Sequence, residues 1–222
     1  MACVLCGQAL QVDWSLAKIF APGSVRPPHL CRACLRQFEK IDPAGACQGC
    51  GRADSPQLCY DCQRWQKAGY ELLHHRAVFQ YNAAMKAFIE QYKGLGDWRL
   101  HVAFQDQLQV NARRAALVPI PTEAGHYQRR GFDPVLGLFG HLPLHQWLTK
   151  AETPVPQAQK NRAGRLLTPQ SFAVKGTAEF AQVSQIVLLD DLYTTGRTLY
   201  HAANAFKAAG FHGKITSYSL IR

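Results

Sequence analysis

Apolar and polar residues alternate along RAVFQY (76–81), with the period of two that a half-buried strand requires. The next segment, NAAMKAFIEQYKGLGD, changes rhythm. Met85, Phe88, Ile89 and Tyr92 recur at helical spacing, and Gly94 suits a helix end. The helical pattern extends through WRLHVAFQDQLQV. AALVPIP (115–121) is a continuous apolar run that reads as a buried strand entering a proline-bounded loop. TEAGHYQRRGFDP is predicted as that loop, and VLGLFGHLPLHQWLTK as a helix. SQIVLLD is a strand, RTLYHAANAFKAAG a helix closed by Gly210, and ITSYSLI a final strand. Upstream, CQRWQKAGYELLHH reads as a connecting helix, with His74 and His75 on opposite sides of the strand start and no evident role. Residues 151–180, rich in proline, glycine and mixed charge, are predicted as a mobile loop or hairpin over a site. Strands alternating with helices predict an α/β fold with a mainly parallel sheet and helices on both faces.

The first 66 residues follow another rule. All eight cysteines lie there, in four CxxC pairs: Cys3 and Cys6, Cys31 and Cys34, Cys47 and Cys50, Cys59 and Cys62. The start, MACVLCGQALQVDWS, lacks the charged-then-apolar pattern of a secretory leader, so a cytoplasmic protein with reduced thiols is expected. No apolar run is long enough to span a membrane, and no membrane insertion is expected. Two thiolates two residues apart can turn onto one ion, and two such knuckles complete a tetrahedral Zn²⁺ site. Two structural Zn²⁺ ions are therefore expected, in a double zinc ribbon over residues 1–66. Cys50 and Cys59 are separated by eight residues, a comfortable ribbon loop, which favours sequential pairing; the other two pairs would join across 24 residues. An interleaved pairing would need a cross-braced topology. With every cysteine committed to metal, a cysteine nucleophile is not expected.

Charge divides the chain in the same way. Residues 1–66 carry seven Lys/Arg against five Asp/Glu, and residues 67–222 carry eighteen against ten. Thiolates holding divalent metal would take the first part to about −2. The positive field thus belongs to the larger part, where it would attract phosphates of either a nucleotide or a nucleic acid.

Candidate chemistry concentrates in VLLDDLYTTGRTL (187–199). A strand that ends in a loop opening a helix puts that loop at the carboxyl edge of a parallel sheet, where ligands bind. Backbone N–H groups of TTGRT can form an anion nest at the helix N-terminus, and Gly196 lets the chain turn. Thr194, Thr195 and Thr198 add hydroxyls, and Arg197 a cation. Asp190 and Asp191 demand the opposite partner, hydroxyls or a metal. A ribose with 2- and 3-hydroxyls and a 5-phosphate meets both demands. Walker B elements also end in acids, but no GxxxxGK[ST] motif is present.

This order resembles the phosphoribosyl pyrophosphate (PRPP) signature of the type I phosphoribosyltransferases. Together with the zinc knuckles and LVPIP…YQRRGFDP, it makes the chain similar, over nearly its whole length, to the ComF competence family. That resemblance implies a double zinc ribbon at 1–66 and a phosphoribosyltransferase-like domain at 67–222. It implies binding of PRPP with Mg²⁺ through Asp190, Asp191, Thr194, Thr195, Gly196, Arg197 and Thr198. Asp190 and Asp191 would also act in catalysis, stabilising positive charge on the ribose ring. Implied partners are single-stranded DNA during natural transformation and other competence or recombination proteins. Turnover of PRPP onto a base or other small acceptor, unrelated to DNA uptake, is the alternative. Lys93, Arg129 and Arg130 are candidate contacts to pyrophosphate or DNA phosphate. Aromatic residues beside them, Tyr127 and Phe132 in HYQRRGF and Tyr92 and Trp98 with Arg99 in YKGLGDWR, are candidate platforms for unstacked bases. Two segments depart from the family pattern. Asp133 and Pro134 replace the Asn-Gln after RRGF, and Thr168 and Pro169 stand near an expected Asn, downstream of Gln157, Gln159, Arg162 and Arg165.

Overall fold

A computed structural model describes residues 1–10, 28–110, 115–151, 172–176, 180 and 182–222. Its centre is a four-stranded parallel sheet in the order β1-β6-β5-β2. The strands are β1 (Arg76–Phe79), β2 (Ala115–Pro119), β5 (Gln185–Leu192) and β6 (Lys214–Ile221). β3 (Leu148–Lys150) and β4 (Phe172–Val174) form a separate antiparallel pair. The α/β class and parallel sheet expected from the alternating pattern are present. The rest of the loop or hairpin predicted over 151–180, with Gln157, Gln159, Arg162 and Arg165, lies outside the described residues.

Both faces of the sheet are covered because the central strands are apolar on both sides. On one face Ala116, Val118, Ile186 and Leu188 pack with Leu199, Ala202 and Phe206 of a long helix (Arg197–Ala208). On the other, Leu117, Val187 and Leu189 pack with Met85, Phe88, Phe104, Leu138 and Phe139. The two cysteine groups divide likewise. Cys47, Cys50, Cys59 and Cys62 join the first core, whereas Cys3 and Cys34 join the second. Residues 39–41 lie along the outer edge of β1, through Ile41 N–H to Val78 O and Gln80 N–H to Glu39 O. A bare strand edge is thereby covered.

Four local readings need correction. The connecting helix is only Tyr60–Lys67; Gly69, at φ +80°, ends it, and residues 70–75 are not helical. The segment beginning at Ala83 is α-helical to Ile89 and widens into a π turn, Glu90–Gly94, followed by a 3₁₀ turn at Trp98–Val102. The predicted loop at TEAGHYQRRGFDP contains a helix, Ala124–Arg130, closed by left-handed Gly131. None of that helix is buried, so it carries no apolar stripe for periodicity to detect. The helix predicted from Val135 to Lys150 stops at Phe139, before Gly140 and Pro143, and its far end is β3.

His75 is not on a strand, and it has a role. It is fully buried, its ring lies 4.4 Å from that of Tyr193, and its nitrogens are 3.0 Å from the hydroxyls of Ser217 and Ser219 on β6. Ser219 donates its own proton to Ile221 O, so it accepts from Nε2–H of the imidazole. Burial, reinforced by Arg222 and Arg76, holds His75 neutral, well below the usual histidine range.

Candidate functional site

The carboxyl ends of β1, β2 and β5 converge on a cavity of about 590 Å³. β5 contributes Asp190 and Asp191 at its end. Lys93, on the π turn that continues the helix Ala83–Ile89, places Nζ 2.5 Å from Asp191 Oδ2. Asp191 N–H donates to Asp190 Oδ1 at 2.9 Å. Burial and then the neighbouring Asp191 charge push Asp190 up to about 7, with Lys93 and Lys150 acting against the rise. Lys93 therefore reaches the acidic pair, a juxtaposition hidden by their distance in sequence.

Beyond the aspartates the chain turns through Tyr193–Gly196 into Arg197–Ala208. Gly196, at φ +79°, is the helix N-cap and supplies no side-chain acceptor. Thr195 partly compensates, accepting from Arg197 N–H at 3.4 Å. Thr194 and Thr198 line the cavity, and a small cleft beside it is formed by Thr194–Leu199 with Asp190. The acidic end and the N–H-rich end of the 187–199 segment thus face one space.

The opposite wall comes from β2 and β3. Glu123 and Lys150, both nearly buried, form an ion pair at 3.1 Å. Sequence reasoning misses both, since a lone acid and a lone lysine on separate segments carry no spacing signal. Arg130 lines the cavity and donates Nε–H to Lys93 O at 2.9 Å, whereas exposed Arg129 contacts His126 instead. The departure at Asp133 has a structural reason. Its carboxylate accepts from Thr122, Val135 and Leu136 N–H, capping Pro134–Phe139 and holding the loop that carries Glu123.

The candidate stacking residues separate. Tyr92 and Phe132 are core residues and cannot offer a free ring face, which corrects the expectation for both. Trp98 and Tyr127 are exposed, with Arg99 and Arg129 nearby in sequence and also exposed. Trp98 stacks on His101 at 4.0 Å and its ring lies 5.0 Å from that of Phe132, so the two segments adjoin.

The cysteines form two groups, Cys3/Cys6/Cys31/Cys34 and Cys47/Cys50/Cys59/Cys62, as sequential pairing requires. Within each, the sulfurs all lie within 4.8 Å of one another. Tetrahedral Zn–S bonds of ~2.3 Å place sulfurs about 3.8 Å apart. The Cys6–Cys31, Cys47–Cys62 and Cys50–Cys59 separations of 3.8, 3.7 and 3.4 Å suit such an ion and are far too long for disulfides. Both groups can hold structural metal; the second is wholly buried. No helix among the described residues is long and apolar enough to cross a membrane.

No protein-family model matches the chain. It is similar along its whole length to competence protein ComFC of Streptococcus pneumoniae (strain ATCC BAA-255 / R6), with 33% identity over 230 residues and all of that protein covered. It is also similar to competence protein ComFC of Bacillus subtilis (strain 168), with 30% identity over 235 residues, 100% of this chain and 95% of the relative.

Proposed function

We propose a function from the premise that this chain belongs to the ComFC family of competence proteins. In this reading it is a cytoplasmic protein that handles single-stranded DNA during natural transformation. It carries a PRPP site in a phosphoribosyltransferase-like part, residues 67–222, stapled to a double zinc ribbon, residues 1–66. One observation carries the PRPP assignment: an acidic pair and two threonines of the turn that opens the following helix, Thr194 and Thr198, line the same cavity within nine residues of chain. Asp190 and Asp191 accept from the ribose hydroxyls. Backbone N–H groups at Thr195–Thr198 and the threonine hydroxyls take the 5-phosphate. Lys93 and Arg130 offset charge on the pyrophosphate. Mg²⁺, held by the aspartates, would neutralise the leaving group.

Titration of PRPP into the Mg²⁺-free protein, with Mg²⁺ supplied at a limiting concentration so that protons compete with it for the aspartates, tests this reading. Because Asp190 sits at about 7, binding is expected to strengthen as pH rises from 6 to 8 and the carboxyl loses its proton. Asp190→Asn should flatten that profile. A wild-type affinity unchanged across this range would remove Asp190 from the contact.

For DNA, the positive balance of residues 67–222 and the exposed rings of Trp98 and Tyr127 support a single-strand grip through Trp98, Arg99, Tyr127 and Arg129. A stacked base is worth ~1–3 kcal/mol, so Trp98→Ala is expected to weaken oligonucleotide binding about tenfold. Affinity should also fall steeply with salt. Fluorescence anisotropy at several salt concentrations measures both, and an affinity indifferent to salt would contradict the grip.

The Glu123–Lys150 pair favours a second reading, turnover. It presents an acceptor and a donor side by side on the cavity wall, a match for the edge of a base. Pyrophosphate release from PRPP in the presence of candidate bases decides between binding and turnover.

A further inference from the structure

The second cysteine group is wired to the phosphate loop. Arg222 donates Nη2–H to Cys50 Sγ at 3.1 Å, Nε–H to Cys50 O at 3.1 Å, and Nη1–H to Thr194 O at 3.3 Å. Its guanidinium lies 4.6 Å from the ring centre of Tyr193, the first residue of the loop, and its backbone N–H is bound by Phe79 O. A second strut runs beside it. Trp65, one turn after Cys62 on Tyr60–Lys67, donates its indole N–H to Thr195 O at 2.9 Å. The indole is buried against Tyr200 of the helix that the loop opens.

Peptide planarity gives these two bonds a consequence. In a trans peptide the C=O of one residue and the N–H of the next point in opposite directions. Holding Thr194 O and Thr195 O toward the ribbon therefore aims the N–H groups of Thr195 and Gly196 away from it. An anion nest needs successive N–H groups turned to one side. Neither strut reaches the first cysteine group, which packs in the core on the other face of the sheet.

We infer that Arg222 and Trp65 are positioning residues that couple the second Cys₄ site to the phosphate loop, so that an intact metal site holds the loop in its anion-binding shape. The inference rests on reading Thr194–Thr198 as a phosphate site. Loss of the ion frees Cys50 from its three partners and removes the anchor of the Arg222 fork. By thermodynamic reciprocity, a bound phosphate monoester must in turn strengthen retention of that metal and not of the other.

The test uses the full, zinc-loaded chain with ribose 5-phosphate as probe. Calorimetry gives affinity, and chelator titration gives the resistance of each metal to removal. In the wild type, ribose 5-phosphate is expected to raise the chelator concentration needed for one of the two metals. Arg222→Met and Trp65→Phe are each expected to lower ribose 5-phosphate affinity tenfold or more and to abolish that protection. Arg222→Lys should not restore it, because a point ammonium cannot bridge sulfur and carbonyl as the planar fork does. Lys207→Met removes an equal charge from the surface pair with Glu71 and should stay within twofold of wild type. Trp65→Phe keeps a ring in the core and removes the N–H, so it decides the matter even where Arg222→Met fails to fold. Affinities of both variants within twofold of wild type, or protection of neither metal, overturn the coupling alone. A wild type that does not bind ribose 5-phosphate overturns the phosphate reading itself, and the coupling with it.

Discussion

Combining Asp190→Asn with Asp191→Asn is expected to reduce PRPP affinity tenfold or more and to remove its dependence on Mg²⁺, while inorganic phosphate still binds. The substitutions keep the side-chain shape and remove only the charge proposed to accept from ribose hydroxyls. A charge-assisted hydrogen bond contributes roughly 1.5–3 kcal/mol, and each ~1.4 kcal/mol is tenfold in affinity. The proposed phosphate loop, Thr194–Thr198, lies beyond the altered residues and loses no N–H donor. Lys93 would also lose its partner at Asp191, leaving an unpaired cation beside the site. Phosphate binding is therefore expected to be unchanged or stronger, a sign opposite to that of PRPP. Calorimetry with both ligands, with and without Mg²⁺, separates the two. Parallel loss of both ligands would mean that the double variant had damaged the fold. Equal PRPP binding by wild type and variant would return the aspartates to a purely structural role.

Gly196→Ala is expected to cripple the other half of the site, with a loss of phosphate affinity on the order of a hundredfold. Gly196 sits at φ +79°, where a Cβ costs ~1–2 kcal/mol. The added methyl would also strike the Tyr193 ring, whose Cζ lies 2.5 Å from the ideal Cβ position and whose hydroxyl oxygen is closer still. Tyr193 has little room to yield, being 2% exposed and lying between His75 and the Arg222 guanidinium. Overpacking of this kind costs ~1–3 kcal/mol, so the two effects together are about 2–5 kcal/mol. The loop can escape the strain by moving, and it then ceases to be a nest. Most of the cost should thus appear as lost ribose 5-phosphate binding, with a smaller fall in thermal midpoint. An affinity within threefold of wild type would show that the loop does not need its left-handed turn.

Chemistry that lies close together along the chain is legible in the sequence itself. Paired CxxC knuckles place two sulfurs within four residues, and the Asp190–Thr198 motif holds both of its demands within nine. A parallel α/β sheet also follows from alternating strand and helix patterns, because its central strands are apolar on both faces. Periodicity fails where burial does. The helix at Ala124–Arg130 has no buried face, so its sequence reads as a loop. The rings of Tyr92 and Phe132 look available in the sequence, but packing encloses them. Tertiary structure alone decides which distant groups meet. Lys93 reaches Asp191, Glu123 finds Lys150, and His75 bridges two serines of the last strand. Trp65 and Thr195 stand 130 positions apart, and Arg222 and Cys50 172. No local pattern encodes such pairs, because only the folded chain brings their segments together: the order β1-β6-β5-β2 sets β1 beside β6, and Arg222, just past the end of β6, then meets Cys50.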